Sequence, residues 1–524
     1  MKFLNLALFL ALGALPAPSV FAQDFVTEYP PADDVTTTDD GPKPKILWSV
    51  DLAAMGSAPM GRGNGIAATT SKLFITVEDC SLLIMDRSDT DPTDSTISYN
   101  YEGGSSDTLC AYSTRGYNTR PVVYERGDGS ALAIYPTGDG YVVAVNNDGT
   151  QAWKTFIFNQ GPDPIGSVRL ERQNLYAIVT YNTDAGGIIV WLSLVDGSIN
   201  DTLGLTVPDD PITSLSSRYA VSGPNDFFHF IGRASGNLYR LNVILDSVTD
   251  GESADFEILT KLGDPVEDMY TPYFPPLISA TMGDSIVNNW AHAVDNQVYG
   301  FVDDYDQFSW KKPADIEGGV GNGLLSAGAD MVCYGWNSIS CYNKENGDLI
   351  WERPSIKYGV LGDPDLWAES GGSSSPRTVL ITNLVYGYLH SLDPENGADI
   401  WVLNCGDFEP LGIDCSSGPT DGVGAMALSP DDTVVYFPPA RNYIMAAEVF
   451  IQPTPAPTMN PTTASPTKNP TPIPTTPPVG EPSTPSPTTP EPTQAPSGSP
   501  RVALSWLAIA SMTVVVLAPF FVAV

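Results

Sequence analysis

One short strand pattern recurs eight times along the chain, and its period constrains the fold more than any other feature. The copies lie at residues 82–86, 141–146, 188–192, 238–242, 298–302, 339–343, 388–393 and 443–447, at an average spacing of about 52 residues. That interval holds one four-stranded antiparallel unit with its loops. A unit of this size cannot bury its apolar faces alone, so successive copies must stack against one another. Hydrophobic residues make up 42% of the 524, enough for the cores such stacking needs, and 47 Gly with 47 Pro point to many turns instead of long helices.

Several copies run on into a turn and a tryptophan. Asn146 leads through Asp148-Gly149 to Trp153, Asn343 through Asn346-Gly347 to Trp351, and Asp393 through Asn396-Gly397 to Trp401. Asp-Gly and Asn-Gly supply the positive φ of tight hairpin turns. The Trp then opens the next strand, where a large flat side chain can cover the face of the neighbouring unit.

This unit of strand, Asp or Asn, turn Gly, three residues and Trp resembles the PQQ-repeat β-propellers, the quinoprotein alcohol dehydrogenase-like family. The resemblance covers residues 45–450. It implies an all-β chain, a β-propeller of four-stranded blades. Eight copies give eight blades, with seven the alternative. Ile46 to Asp51 reads as an outer strand with no blade before it, and the last blade, 425–450, lacks one. The expectation is that the N-terminal strand completes the last blade and hides two edges. Gly63-Asn64-Gly65, Gly321-Asn322-Gly323 and Gly422-Val423-Gly424 read as the openings of innermost strands, where Cβ atoms crowd the axis.

The two ends carry addresses. Residues 1–22 have a basic Lys2, an apolar stretch from Phe3 to Leu15 and Val20-Phe21-Ala22 before the cut, the layout of a secretory signal peptide. Residues 452–500 change composition abruptly, with 17 Pro and 17 Thr or Ser in 49 positions. Proline fixes φ and removes a donor, so this segment is expected to be a disordered, extended, O-glycosylated stalk. At about 3.1 Å per residue it reaches on the order of 150 Å. Residues 501–524 are expected to form a hydrophobic helix. Its only nearby cation, Arg501, precedes the apolar run, and the small residues Ser497, Gly498 and Ser499 stand just upstream as lipid-anchor candidates. That order is expected of a GPI-attachment signal, with a transmembrane tail as the alternative. Both put the chain on the extracellular face of the plasma membrane or at the cell surface.

Charge narrows the partners. Segment 24–451 holds 22 bases and 59 acids, a net charge of −37. Such a body lacks the basic footprint that phosphate backbones require, which argues against nucleic acid. An extracellular glycan, a matrix protein or a surface protein fits better, with the membrane engaged through the C-terminal anchor.

Residues with chemistry are few. Cys80, Cys110, Cys333, Cys341, Cys405 and Cys415 are six cysteines in a chain read as secreted, hence a disulfide framework. Local pairing, 80–110, 333–341 and 405–415, is favoured because each pair lies within one blade or its next loop. Asn200-Asp201-Thr202 is the one N-glycosylation sequon of the body, making Asn200 the acceptor. His229, His292 and His390 fall on or beside apolar strands and read as structural. Trp290, Trp336 and Trp367 lie outside the turn–Trp position and either line a pocket or pack between blades.

The enzymes of the resembled family bind pyrroloquinoline quinone over a metal ion, often stacked on a disulfide between adjacent cysteines. This sequence has no Cys-Cys pair and no matching ligand set. The expectation is therefore no catalytic residue, no metal ligand and no cofactor. The protein is read as a binding or scaffold module, with a quinoprotein dehydrogenase using PQQ and Ca²⁺ and a propeller-type surface hydrolase as alternatives.

Overall fold

A computed structural model describes residues 43–450 except 62–63, 89–90, 104–109, 111–119, 158–167, 172–174, 184, 201–202, 213–214, 216–218, 221–224, 233, 247–250, 262–288, 295–296, 303–309, 314–323, 328–330, 336–338, 344, 354–358, 361–366, 370–376, 384–387 and 414–425. Residues 1–22, read above as a signal peptide, residues 452–500, read as a stalk, and the anchor candidates Ser497, Gly498 and Ser499 lie outside the described residues, as do Trp336 and Cys415.

The described chain is almost entirely β, with one short α-helix, Cys405–Phe408, and one 3₁₀ turn, Glu409–Leu411. Its strands form successive antiparallel meanders. Sheet 1 runs Ile66–Ala68, Lys72–Thr76, Leu82–Asp86 and Ile97–Tyr99. Sheet 2 runs Val122–Glu125, Ala131–Pro136, Tyr141–Asn146 and Gln151–Phe156. Sheet 3 is built from Val168–Leu170, Tyr176–Thr183, Gly186–Ser193 and Leu205–Pro208. Sheet 4 follows with Tyr219–Ala220, Asn225–Ile231, Asn237–Asp246 and Gly251–Lys261.

Sheet 5 has three strands among the described residues, Asn289–Val294, Gln297–Val302 and Trp310–Pro313. Sheet 6 has four, Leu324–Ala327, Met331–Gly335, Ile339–Asn343 and Leu349–Arg353. Sheet 7 departs from the four-strand expectation. Gly359–Val360 and Trp367–Glu369 both pair with Arg377–Asn383, before Leu389–Leu392 and Asp399–Leu403. Sheet 8 contains Ala427–Leu428, Val434–Ala440 and Tyr443–Glu448, and its fourth strand comes from the other end of the chain. Ile46–Asp51 pairs antiparallel with Tyr443–Glu448, placing Trp48 opposite Ala446 and Asp51 opposite Tyr443.

First strands lie against one another, those of sheets 8, 1, 2 and 3 in sequence and those of sheets 5 and 6. Four-stranded meanders stacked face to face, with their first strands gathered, make this a β-propeller. Strand side chains alternate between faces, and here both faces are buried. In sheet 1, Phe74 and Ile84 pack with Tyr135 and Val143 of sheet 2. Leu73 and Met85 turn the other way, onto Tyr436 and Ile444 of sheet 8. The same exchange joins sheets 2 and 3 through Ile134 and Val179, sheets 3 and 4 through Trp191 and Phe228, and sheets 6, 7 and 8 through Cys341, Leu380 and Phe437. Truncating one of these side chains to Ala costs about 2–5 kcal/mol.

The repeated Trp has a defined task. Trp153 of sheet 2 donates its indole N–H to Leu194 O of sheet 3 at 3.2 Å, and Trp351 of sheet 6 to Pro394 O of sheet 7 at 2.9 Å. Trp401 of sheet 7 donates to Val449 O at 2.9 Å. Each receiving carbonyl in the first two cases lies three residues before a turn glycine, and the ring covers that glycine. A Cβ on Gly197 would meet Trp153 at 2.6 Å, one on Gly347 would meet Trp310 at 2.5 Å, and one on Gly397 would meet Trp351 at 2.6 Å. These glycines therefore have two duties, a positive φ of 69–71° and the absence of a side chain under the indole. Two residues after the Trp, the same turn is gripped again. Thr155 Oγ1 donates to Gly197 O at 2.7 Å, and Arg353 Nη1 donates to Gly397 O at 2.5 Å.

A bulge sets the indole in place. The pairing slips by one residue next to Ala144↔Trp153, Cys341↔Trp351 and Ser391↔Trp401, leaving Ala152, Ile350 and Ile400 unpaired just before each Trp. A bulge re-aims a side chain and increases local twist. It also accounts for the exposure of Ile350 and Ile400 in an otherwise alternating pattern.

The turn glycines give a controlled prediction. Gly397→Ala should destabilise the protein by roughly 2–4 kcal/mol, combining left-handed backbone strain with overpacking against Trp351. Gly129, at φ 83° with nothing within 4 Å of a built Cβ, should cost only the backbone share, about 1–2 kcal/mol, on the same substitution. Thermal unfolding of the two variants checks this, and equal losses would show that the indole contact contributes nothing.

Candidate functional site

The loops between second and third strands of sheets 1 and 8 meet through Glu78 and Arg441. In sheet 1 this loop is 77–81, and it is pinned from several sides. Cys80 stands in the left-handed region at φ 67° and is bonded to Cys110, 30 residues on. Cys110 N donates to Glu78 O at 2.7 Å, and Tyr135 Oη from sheet 2 donates to Cys80 O at 2.8 Å. Buried Asn64 holds the preceding loop, accepting from Gly61 N at 2.8 Å and donating to Cys110 O at 3.4 Å. Glu78 is itself buried and pairs with Arg441 of the corresponding loop of sheet 8. Arg120 reaches from the entry to sheet 2 to Met426 O at 2.8 Å. Gly65 opens the first strand of sheet 1 as expected, and a Cβ there would meet Arg120 at 2.6 Å.

An aromatic rim continues from this loop onto sheet 2. Tyr101 N donates to Ser81 Oγ at 3.1 Å, and its hydroxyl donates to both Asp139 oxygens at 2.8 and 2.9 Å. Burial pushes the Tyr101 phenol above its usual range, and the Asp139 carboxylate adds to the shift, so the hydroxyl donates in its neutral form. Lys154 Nζ lies 4.0 Å from the Tyr101 ring centroid and 4.3 Å from that of Tyr141, and donates to Glu102 O at 3.0 Å. Phe156, 50% exposed, meets Tyr141 edge to face at 5.2 Å. The result is a set of rings, Phe156 exposed and Tyr101 and Tyr141 half-buried under Lys154, with a cation and a carboxylate at hand.

Two of the expected disulfides are present, Cys80–Cys110 and Cys333–Cys341. The second joins directly opposed residues of neighbouring strands, with Cα atoms 4.0 Å apart. Both are compatible with an extracellular protein. The third pairing falls on Cys415, outside the described residues. A quinone stacked on a disulfide needs exposed sulfur, and Cys80, Cys110, Cys333 and Cys341 are all buried, so these bridges do not fit that cofactor. Among the described residues, no three His, Cys, Asp or Glu side chains are grouped to hold a metal ion. Nor is any described helix long and apolar enough to cross a membrane.

Many of the acids serve turns. Asp86, Asp128, Asp148 and Asp196 each accept from the hydroxyl and backbone N–H of the Ser or Thr two residues on. Those hydrogen bonds hold their carboxyls below the usual range. Asn200 lies just after the Leu192↔Ile199 bridge of sheet 3, and its Nδ2 donates to Tyr176 Oη at 3.1 Å. His390 is buried, with Nδ1 3.1 Å from Asp399 Oδ1. The side chains of His292, Trp290 and Trp367 lie outside the described residues.

No protein-family model and no curated protein matches the chain. Among solved structures, BamB from Moraxella catarrhalis is similar at 14% identity and a TM-score of 0.44, over 78% of this chain and 100% of that one. The Dos1 propeller is similar at 10% identity and 0.47, over 78% and 95%. The computationally designed Ika8 protein is similar at 11% identity and 0.41, over 76% and 99%.

The Tyr101–Lys154–Tyr141–Phe156 set was not singled out from the sequence. Tyr141 and Phe156 escaped because the turn at 146–149 alone sets Tyr141 opposite Thr155, and the bulge at Ala152 moves its partner to Phe156. Tyr101 enters from the connection between sheets, and Glu78 and Arg441 are 363 residues apart, so no local pattern announces either.

Fully buried His229 gives a pH prediction. Burial, with Arg240 nearby, lowers its pKa to about 3. Between its ordinary 6.5 and 3 the unfolded chain binds a proton that the folded chain refuses. Stability from this group is complete above pH 6.5 and falls on acidification, by up to about 1.4 kcal/mol per pH unit. The turn aspartates act lower, below pH 4. Denaturation across pH 7 to 4.5 should show this slope, and His229→Gln should flatten it. An unchanged slope in the variant would contradict the assignment.

Proposed function

We propose that this protein is a carbohydrate-binding propeller displayed at the cell surface, with the aromatic rim of sheets 1 and 2 as its contact. The observation that carries the reading is the rim itself, Phe156 and Tyr141 presented beside Tyr101, Lys154 and Asp139. Sugar rings offer apolar C–H faces that stack on aromatic rings, while their hydroxyls need carboxylate and amide partners within reach. The rim supplies rings and a carboxylate, and its Tyr101 is tied through Ser81 to the loop pinned by Cys80–Cys110 and Tyr135. Little ordering is then lost on binding, which favours affinity. A neutral polysaccharide suits a body of net charge −37 better than an acidic one.

The architecture in this reading is an eight-bladed ring of the PQQ-repeat type. Residues 46–51 close the last blade through their pairing with Tyr443–Glu448. The body is exported by residues 1–22, raised on the stalk 452–500 and held to the membrane by a GPI anchor attached at Ser497, Gly498 or Ser499, which replaces the tail that follows. It works without a redox cofactor or catalytic group. The buried disulfides support this over a quinoprotein reading, since neither gives a quinone a surface to stack on.

The test is a screen of the full chain against an array of neutral and acidic glycans, followed by titration of the best ligand. Phe156→Ala and Tyr141→Ala should each weaken that ligand at least about tenfold, the worth of one stacking or buried contact, with the folded β-rich circular-dichroism spectrum of the parent retained. Binding of a protein or of no glycan at all, with the rim variants indistinguishable from the parent, would overturn the reading.

A further inference from the structure

We infer that the indole–glycine contact also has a chemical duty, to shield Asn346 and Asn396 from deamidation. Both asparagines are exposed, and each is followed by a turn glycine. Asn-Gly is the dipeptide most open to this reaction, because glycine leaves its backbone nitrogen unhindered. The reaction starts at that nitrogen. Its N–H loses a proton to hydroxide, and the nitrogen attacks the asparagine Cγ to close a five-membered imide. The Cγ–Nδ2 bond breaks and ammonia leaves. Water then opens the ring at either carbonyl, giving aspartate or, with the chain rerouted through Cγ, isoaspartate. The net change is one water in and one ammonia out, with no redox step.

The two reacting groups lie in opposite surroundings. Asn346 Oδ1 accepts from Asp348 N at 2.9 Å, and Asn396 Oδ1 from Ala398 N at 2.8 Å. Those bonds polarise the amide carbonyls toward attack, so the protection rests on the nucleophile. Gly347 N donates to Asn343 O and Gly397 N to Asp393 O, each at 2.8 Å. Both glycines are buried, Gly347 under Trp310 and Gly397 under Trp351. A backbone N–H that is buried and hydrogen-bonded gives up its proton only when the turn opens. The indole holds the turn shut, and Trp351 does so through its bond to Pro394 O as well as through its ring. Isoaspartate at either position adds a methylene to a backbone set for φ of 69° at Gly347 or 70° at Gly397, and so undoes the contact that had kept it out.

The test holds the full chain at mildly alkaline pH, folded and unfolded in urea, and follows residues 346 and 396 by peptide mass. Both should deamidate at least about tenfold more slowly in the folded protein. Trp351→Phe keeps a ring over Gly397 but loses the bond to Pro394 O. With the parent's circular-dichroism spectrum retained, it should speed deamidation at Asn396 by about fivefold, the worth of one hydrogen bond, and leave Asn346, under Trp310, at the parent rate. Trp351→Ala, where it folds, should speed Asn396 further. Folded-state rates equal to those of the unfolded chain overturn the shield. In Trp351→Phe, equal acceleration at both asparagines shows opening of the whole body, and an unchanged rate at Asn396 shows that the turn needs no indole. Either result overturns the assignment to this contact.

Discussion

An indole laid on a turn glycine of the next sheet is the contact from which the rest of this structure follows. It is short, directional and repeated, joining sheets 2 to 3, 5 to 6 and 6 to 7. The donor N–H fixes the height of one sheet against its neighbour, the flat ring fixes the spacing, and the bulge beside it fixes the aim. Apolar packing alone tolerates sliding, because hydrophobic burial has no direction. The tryptophan latch removes that freedom at the outer edge, while the buried strands of both neighbours fill the space further in.

Where the repeat lacks its Trp, the position is still occupied. In sheet 1 the outer strand offers Ile97, whose Cγ2 lies 2.5 Å from a Cβ built on Gly149 of sheet 2. A smaller aliphatic group covers the glycine there without the hydrogen bond. At the other junction the chain uses its own beginning. Ile46–Asp51 supplies the outer strand of sheet 8, and Trp48 packs against Tyr436 at 5.9 Å. An exposed strand edge is thereby paired within one molecule instead of being left open to another. The aromatic rim inherits this rigidity, because every loop beneath it is tied to a sheet held on both faces.

Much of this was written in the chain in readable form. The period of strand, turn and Trp identifies the repeated unit, and the unmatched strand at 46–51 identifies its partner near 443–448. The Asp-Gly and Asn-Gly pairs identify the turns, and cysteine proximity identifies two bridges. What remained hidden has a common physical cause, that it depends on distance in space without a local pattern. The second duty of Gly197, Gly347 and Gly397 is invisible until the neighbouring indole is placed. The bulge residues Ala152, Ile350 and Ile400 look like ordinary strand positions. The extra strand Trp367–Glu369 in sheet 7 breaks the repeat where its sequence departs from the others. The rim residues come from a connection, a turn and an outer strand, each with its own local reason for being polar or aromatic.

Native-state hydrogen exchange on the full chain tests the central claim most directly. If the first strand is an integral part of the last sheet, amides in residues 46–51 exchange as slowly as those in 443–448, and both open only with the folded body as a whole. Exchange of 46–51 orders of magnitude faster, with 443–448 still protected, would show that the two ends of the chain are not joined in one sheet and would contradict the account.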